Sequence, residues 1–485
     1  MQPNSGGILI IFVQCCICII LIFVSQIYIQ FNVSSELLIY FACIFLFILT
    51  IWSFWSWQHL TKSLFDPYTL FFLSAVIFNG GQAFLEIFHL NENGLLEGNF
   101  SSGTVIKTIF IVILSLTFFH LGALLNTATV NSFKQPSDGN KALLTKIQDN
   151  CRQVGWITFG IALFPTILVF KDAVVTVLKS GYYALYQENE PTSFSATPQV
   201  LASFLIPSTL FLLVGSKEKR NTRLVCLFSV LIYAFSHFFL GERNSAVMPL
   251  IAFAWLWHRW IRPLPKVFMF STAVLLGFFV LPLVAATRNE SGHERLSINF
   301  LLETFSSIDN PVIASIAEMG GTMQTVAYTL ELVPRWHDFE MGVGYLYALL
   351  TLIPNLFWSI HPTVARGIPD LWLAQEIDPE RAARGGTLGF SFIAEAYLNF
   401  GWIGTPIILG IIGFLYGKLT LWAMKSNHPA KMAMLASFTT FFLFYPRAEA
   451  ALVVRALVWY SLIPYLGVYI LNRSQLRGLS RQRKF

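Results

Sequence analysis

The chain runs to 485 residues, 55% of them hydrophobic and only 12% charged, and its long uncharged stretches exclude a soluble fold in favour of a polytopic membrane protein. Its net charge of +6 falls mostly in short loops between apolar stretches, a mark of membrane topology that sets nucleic acid aside as a partner. The six cysteines show neither a disulfide framework nor a paired CxxC spacing, so no metal site is expected.

Apolar stretches of roughly 17 to 25 residues predict membrane spans. The first half of the chain offers them near Ile8–Ile29, Glu36–Trp55, Pro67–Phe88, Thr104–Asn126, Gln153–Phe170 and Pro198–Gly215. The second half offers Leu224–Leu240, Ser245–Trp260, Val267–Ala286, Ile403–Trp422, Met432–Tyr445 and Ala450–Leu471. The fold class is therefore all-α and polytopic, with about twelve transmembrane helices. The first stretch lacks a preceding basic region and a small-residue cleavage pattern, so it reads as a retained helix.

Loop charge sets the orientation, because Lys and Arg collect on the cytoplasmic side of short loops. Lys134, Lys141, Lys146 and Arg152 fall on one face with Lys217, Lys219, Arg220 and Arg223, with Arg259, Arg262 and Lys266, and with the tail residues Arg473, Arg477, Arg481, Arg483 and Lys484. Both termini are then cytoplasmic. The apolar segment Gly342–Ile360 would invert the last spans if it crossed. With Pro354 in its middle and Trp358 near its end, it is expected to be re-entrant or interfacial. The expected organisation is spans one to nine over residues 1–287, a large external loop over 288–402, and the last three spans with a basic tail over 403–485, all in one integrated membrane domain.

The external loop contains Arg288, Arg295, Arg335, Arg366, Arg381 and Arg384 and no lysine. Arginine supplies a planar, permanently charged fork that grips phosphate or carboxylate through two bonds, so this bias points to an anionic ligand. Arg243 lies in the short turn Gly241-Glu242-Arg243-Asn244-Ser245, where Asn244 or Ser245 is expected to cap the next helix. Arg447 and Arg455 flank Glu449 in YPRAEAALVVR, about two turns apart if that segment is helical. Glu395 sits in an apolar, helical stretch one turn from Asn399, with Tyr397 between them, and burial there would suit it to acid–base work. Glu242, Glu318 and His361 are weaker candidates, and His361 is as well explained as a hydrogen-bonded anchor. The chain has no Walker A sequence, no GxGxxG after a strand, no HExxH and no DxD. No nucleotide, cofactor or metal is expected, and the substrate must arrive already activated.

On these residues the chain resembles the O-antigen polysaccharide polymerases of the Wzy type, which lie close to the O-antigen ligases. GERNSAVMP, Arg288, AEMGG, GFSFIAEAYLNFGWIG and YPRAEAALVVR carry the resemblance from Gly241 to the end of the chain, and the DPYTLFFLSAVIFNGG run looks similar as well. The resemblance implies an inner-membrane glycosyltransferase that joins undecaprenyl-diphosphate-linked repeat units at the periplasmic face, metal-independent and inverting. A chain-length regulator protein is an implied partner. Essential arginines would by position be Arg243, Arg288, Arg384, Arg447 and Arg455. Arg288 and Arg384 with Glu395 are assigned to catalysis, and Arg243, Arg381, Arg447 and Arg455 to holding the diphosphate. An arginine followed eleven positions later by glycine, described for some members, does not occur among the external arginines. The alternatives are an O-antigen ligase and a lipid-linked oligosaccharide flippase.

Overall fold

The computed structural model describes residues 5–31, 35–128, 138–186, 197–288, 297–308, 310–355 and 358–482. Lys134, Arg295, Arg483 and Lys484 lie outside the described residues. Lipid offers backbone groups no hydrogen bonds, so the apolar stretches can only close their bonds internally as helices, and no strand occurs among the described residues.

The first nine helices are α1 Ser5–Phe31, α2 Glu36–Thr61, α3 Pro67–Glu86 and α4 Ser102–Ala128, then α5 Asp138–Ser180, α6 Thr197–Gly215, α7 Arg220–Leu240, α8 Arg243–Leu256 and α9 Lys266–Thr287. Their starts carry the expected signals. Ser35 caps α2 by accepting from the Leu38 N–H at 3.2 Å. Asp66 caps α3 by accepting from Thr69 at 3.0 Å, with Pro67 as the first helical residue.

Between α9 and the final three helices lie seven short ones: α10 Ile298–Ser306, α11 Pro311–Gly320, α12 Thr322–Leu332, α13 Val343–Leu350, α14 Pro362–Arg366, α15 Pro369–Ile377 and α16 Pro379–Ala383. The chain ends in α17 Phe392–Ser426, α18 Pro429–Phe442 and α19 Ala450–Gln475.

Among the described residues ten helices are long and apolar enough to cross a membrane, and the chain is a multi-pass membrane protein. Two expected spans, Ser245–Trp260 and Met432–Tyr445, appear as the 14-residue helices α8 and α18. The expected span Gln153–Phe170 is part of a 43-residue helix, α5. Lys146 and Arg152, read from sequence as loop residues, lie on its polar end, because a hydropathy window registers only the apolar part of a helix. Gly342–Ile360 forms eight-residue α13 and then turns, with Leu356 and Phe357 outside the described residues.

The core is built on α4 and α17. A Cβ on Gly122 would stand 1.9 Å from the Gly410 carbonyl, and one on Gly413 would stand 2.0 Å from that of Phe119. Small residues here let the two backbones touch. Phe71 of α3 stacks on Phe119 at 5.0 Å and on Phe442 at 4.5 Å, closing α18 onto the pair. Beside them the buried His120 ring lies 2.7 Å from both Ser56 Oγ and Tyr68 OH. At Gly401 the backbone of α17 turns to φ 64° and ψ −162°, a region open to glycine alone. The break separates Phe392–Phe400, which faces the short helices, from the remainder.

Candidate functional site

Five segments meet at the end of the bundle where the short helices lie. Gly241, at φ +90°, ends α7 and lets α8 begin at once with Arg243. This corrects the cap expected at Asn244 or Ser245. Glu242 holds the N-cap position without a capping bond, because its carboxylate is committed to His237 Nδ1 at 2.5 Å and accepts from Tyr186 OH at 3.3 Å.

Glu318, on α11, receives two bonds from the Arg243 guanidinium, one of 2.8 Å. Its position is fixed by the next turn, where a Cβ on Gly320 would meet the Gln82 backbone nitrogen at 2.6 Å. Arg288, at the end of α9, lies over the Tyr182 ring at 5.4 Å, against Gly241.

Arg381 is placed by a loop tied at both ends. Its N–H donates to Asp378 at 3.0 Å, and its carbonyl accepts from Gly386 at 2.9 Å. Arg381 Nε is buried without a hydrogen-bond partner. Arg447 sits in the single 3-10 turn Tyr445–Arg447, its Nε facing Gly389, which adopts φ +72°.

Asn79 of α3 locks this turn to the loop, a role that sequence reading missed. Its Nδ2 donates to the Pro446 carbonyl at 3.1 Å, and its Oδ1 accepts from Ser391 Oγ at 2.6 Å. Ser74, on the same helix, donates to the Leu443 carbonyl at 2.7 Å.

The charges feel one another. Burial lowers the Arg447 guanidinium; the Glu318 carboxylate opposes this, and Arg243, Arg288 and Arg381 add to it. Burial pushes Glu318 up, but the Arg243 bonds and the charges of Arg243, Arg288 and Arg447 hold it below the usual glutamate range. Three arginines from three segments, Arg243, Arg288 and Arg447, thus gather around Glu318, with Arg381 close to Arg447, and among the described residues neither Arg381 nor Arg447 has an ion pair.

Carboxylates gather next to this group. Glu395 is 2% exposed and accepts the Ala450 N–H with both oxygens, at 3.0 and 2.9 Å, and Tyr445 OH at 3.3 Å. It thereby takes over the start of α19. Glu449, also 2% exposed, is pushed well up by burial and by the nearby Asp370 and Glu395. Burial likewise raises Asp370, whose Oδ1 is buried without a partner.

The remaining candidates lie apart or play other parts. Arg384 is exposed, and its Nε donates to the Glu380 carbonyl at 3.2 Å. Arg455 donates to the Thr351 carbonyl at 3.3 Å. Because α19 starts only at Ala450, Arg447 and Arg455 do not share a helix face as the sequence suggested. Asn399 accepts from the Gly344 N–H at 3.1 Å and anchors α13 to α17. Tyr397 OH donates to the Val333 carbonyl at 3.4 Å. His361 caps α14, accepting from the Thr363 N–H at 3.2 Å. Arg366 pairs with Glu340 and lies over Tyr347 at 4.8 Å. No cluster of three or more His, Cys, Asp or Glu side chains fit to hold a metal ion occurs among the described residues.

Fold and site together define a multi-pass membrane protein with a half-buried cationic centre beside buried carboxylates at one end of its helices. The family model for the O-antigen polysaccharide polymerase Wzy matches residues 10–477, and the chain belongs to that family. Protein CapE of Staphylococcus aureus is 29% identical over 162 residues, which are 32% of this chain and 31% of CapE. The match thus spans less than a third of that relative. No solved structure matches the chain.

Proposed function

We propose that the protein is a glycosyltransferase that polymerises undecaprenyl-diphosphate-linked oligosaccharide repeat units at the periplasmic face of the inner membrane, with both termini in the cytoplasm. The observation that carries this reading is the gathering of Arg243, Arg288 and Arg447 around Glu318, with Arg381 close to Arg447 and its Nε buried and unpartnered. Three partly buried guanidinium groups around the single carboxylate of Glu318 call for an anion, and a diphosphate matches their paired donors.

Such a centre works by electrostatics. Donors fixed where charge develops stabilise the transition state without having to reorganise, and losing one of them costs about 10²- to 10³-fold in rate. As the glycosidic carbon of the donor unit separates from its diphosphate, the arginines take up the growing negative charge on the leaving oxygen. The acceptor hydroxyl attacks from the opposite side and inverts that carbon, and its proton passes to a neighbouring carboxylate. Glu395, which sequence reading put forward for this, is engaged at both oxygens by the Ala450 N–H and serves here to position the turn that carries Arg447 and Glu449. A chain-length regulator is the expected protein partner.

Deleting the gene and resolving the surface polysaccharide by size tests the reading. A single repeat unit in place of a ladder is the expected result. Bare acceptor with no repeat unit points to ligase or flippase instead, and an unchanged ladder overturns the proposal.

A further inference from the structure

We propose that the rings of Tyr183 and Tyr186 form the subsite for the sugar next to the diphosphate of the lipid-linked unit, an inference that rests on the polymerase reading above. Gly181, at φ +81°, ends α5 in a conformation open to glycine, and the 3-10 turn Tyr182–Leu185 follows at once. Tyr182 anchors this turn to the cationic centre. A Cβ on Gly241 would stand 3.0 Å from the Tyr182 ring, and the Arg288 guanidinium lies over that ring at 5.4 Å, where the ring's negative face attracts it.

Hydroxyl groups fix the rest. Tyr186 OH donates to Glu242 Oε1 at 3.3 Å, which spends its one proton, so Tyr182 is the donor in the 3.2 Å bond between the two hydroxyls. Glu242 also holds His237 Nδ1 at 2.5 Å, and the residue after it is Arg243. The tyrosines are thereby braced to two of the arginines around Glu318, to Arg243 through Glu242 and to Arg288 through the Tyr182 ring.

Tyrosines at the edge of a bilayer ordinarily keep the hydroxyl in water and the ring toward lipid. Here the hydroxyls of Tyr182 and Tyr186 are tied to Glu242, while Tyr183 and Tyr186 remain 37% and 46% exposed. Their rings stand at 68° and 62° to that of Tyr182, with centres 5.7 and 5.3 Å away. Rings tilted this steeply do not cover one another's faces, and aromatic surface is left open beside Arg288. A pyranose suits such a surface, because its ring C–H bonds form an apolar face whose slightly positive hydrogens meet the negative face of an aromatic ring. Tyrosine offers that contact rigidly, with only two torsions to fix. Closeness to Arg288 selects the first sugar: a phosphate held by that guanidinium and a sugar lying on the neighbouring rings are one sugar–phosphate linkage apart.

The test compares two ligands on the full-length protein in nanodiscs: undecaprenyl diphosphate, and the lipid-linked repeat unit extracted from a strain lacking the gene. The unsubstituted protein should bind the linked unit more tightly. Tyr183 takes no part in the hydroxyl chain, so Tyr183→Leu should weaken binding of the linked unit about threefold to tenfold and leave undecaprenyl diphosphate within about twofold. Tyr186→Phe, which keeps the ring, should retain the preference for the linked unit, and Tyr186→Leu should lose it. Equal weakening of both ligands by Tyr183→Leu overturns the inference, since the tyrosines then only support the arginines, and so does a linked unit bound as tightly as before. If Tyr183→Leu does not accumulate, equal affinities of Tyr186→Phe and Tyr186→Leu for the linked unit overturn it instead. An unsubstituted protein that binds undecaprenyl diphosphate but gains nothing from the sugar overturns this inference and leaves the polymerase reading standing. Binding of neither ligand removes that reading, and this inference with it.

Discussion

Single residues divide into those that meet the anion and those that hold them in place. Replacing Arg447 by Lys keeps the charge but loses the fork, and should reduce polymer formation in complemented cells by about 10²-fold. Asn79→Ala removes the partner of both the Pro446 carbonyl and Ser391. A buried group left unpaired costs about 1–3 kcal/mol, so this variant should melt earlier and lose activity without itself touching substrate. A thermal-shift and ladder comparison with Ser74→Ala separates the two effects. Glu318 is held below the usual glutamate range, so the stability it contributes is present above that range and is lost as pH falls through its lowered value. Melting of the purified protein should therefore decline on the acid side of pH 4.5, and Glu318→Gln should flatten that decline. The arginines were legible as a set because a charge next to lipid needs a reason. Sorting Arg381 from Arg384, or Arg447 from Arg455, was not legible, since it turns on whether a helix starts at Arg447 or at Ala450. Asn79 was hidden inside an apolar run, where one amide carries no periodic signal.

Whole elements are set by close approach. The GG pairs of α3 and α11 cross with Gly320 against the Gln82 backbone, and backbone cannot yield as a flexible side chain would. Gly320→Ala should push α11 outward and shift Glu318 away from Arg243. A loss of polymer larger than the loss of folded protein, read by ladder analysis beside size-exclusion chromatography, is the expected result. Gly413→Val acts on the α4–α17 contact, where a Cβ would stand 2.0 Å from a carbonyl, and should abolish accumulation of folded protein. Helix existence was readable in the sequence from apolar length alone. The short helices between Ile298 and Ala383 were not, because they are pieces below the length of a span, although Asn310-Pro311, His361-Pro362 and Asp378-Pro379 mark the starts of three of them.

At the scale of the whole molecule, the direction in which the site faces depends on how many helices cross. Helix α8 continues through the turn Trp257–Ile261, so about 19 residues cover about 28 Å, close to the apolar thickness of a bilayer. The 14 residues of α18 cover only about 21 Å. That helix is enclosed by protein, with Ala430, Met432, Ala433, Leu435 and Ala436 at 1% exposure or less, and a protein-enclosed segment need not match the lipid thickness. If both cross, the basic turn between α6 and α7 lies on the cytoplasmic side, and the Arg381–Arg447 centre lies opposite. Single cysteines at Glu218, Asn93 and Arg384, all exposed positions, decide this in a background freed of the six native cysteines. A membrane-impermeant maleimide should label Asn93→Cys and Arg384→Cys in intact spheroplasts, and Glu218→Cys only after permeabilisation. Labelling of Arg384→Cys only after permeabilisation would place the cationic centre in the cytoplasm, where an external polymerase could not use it.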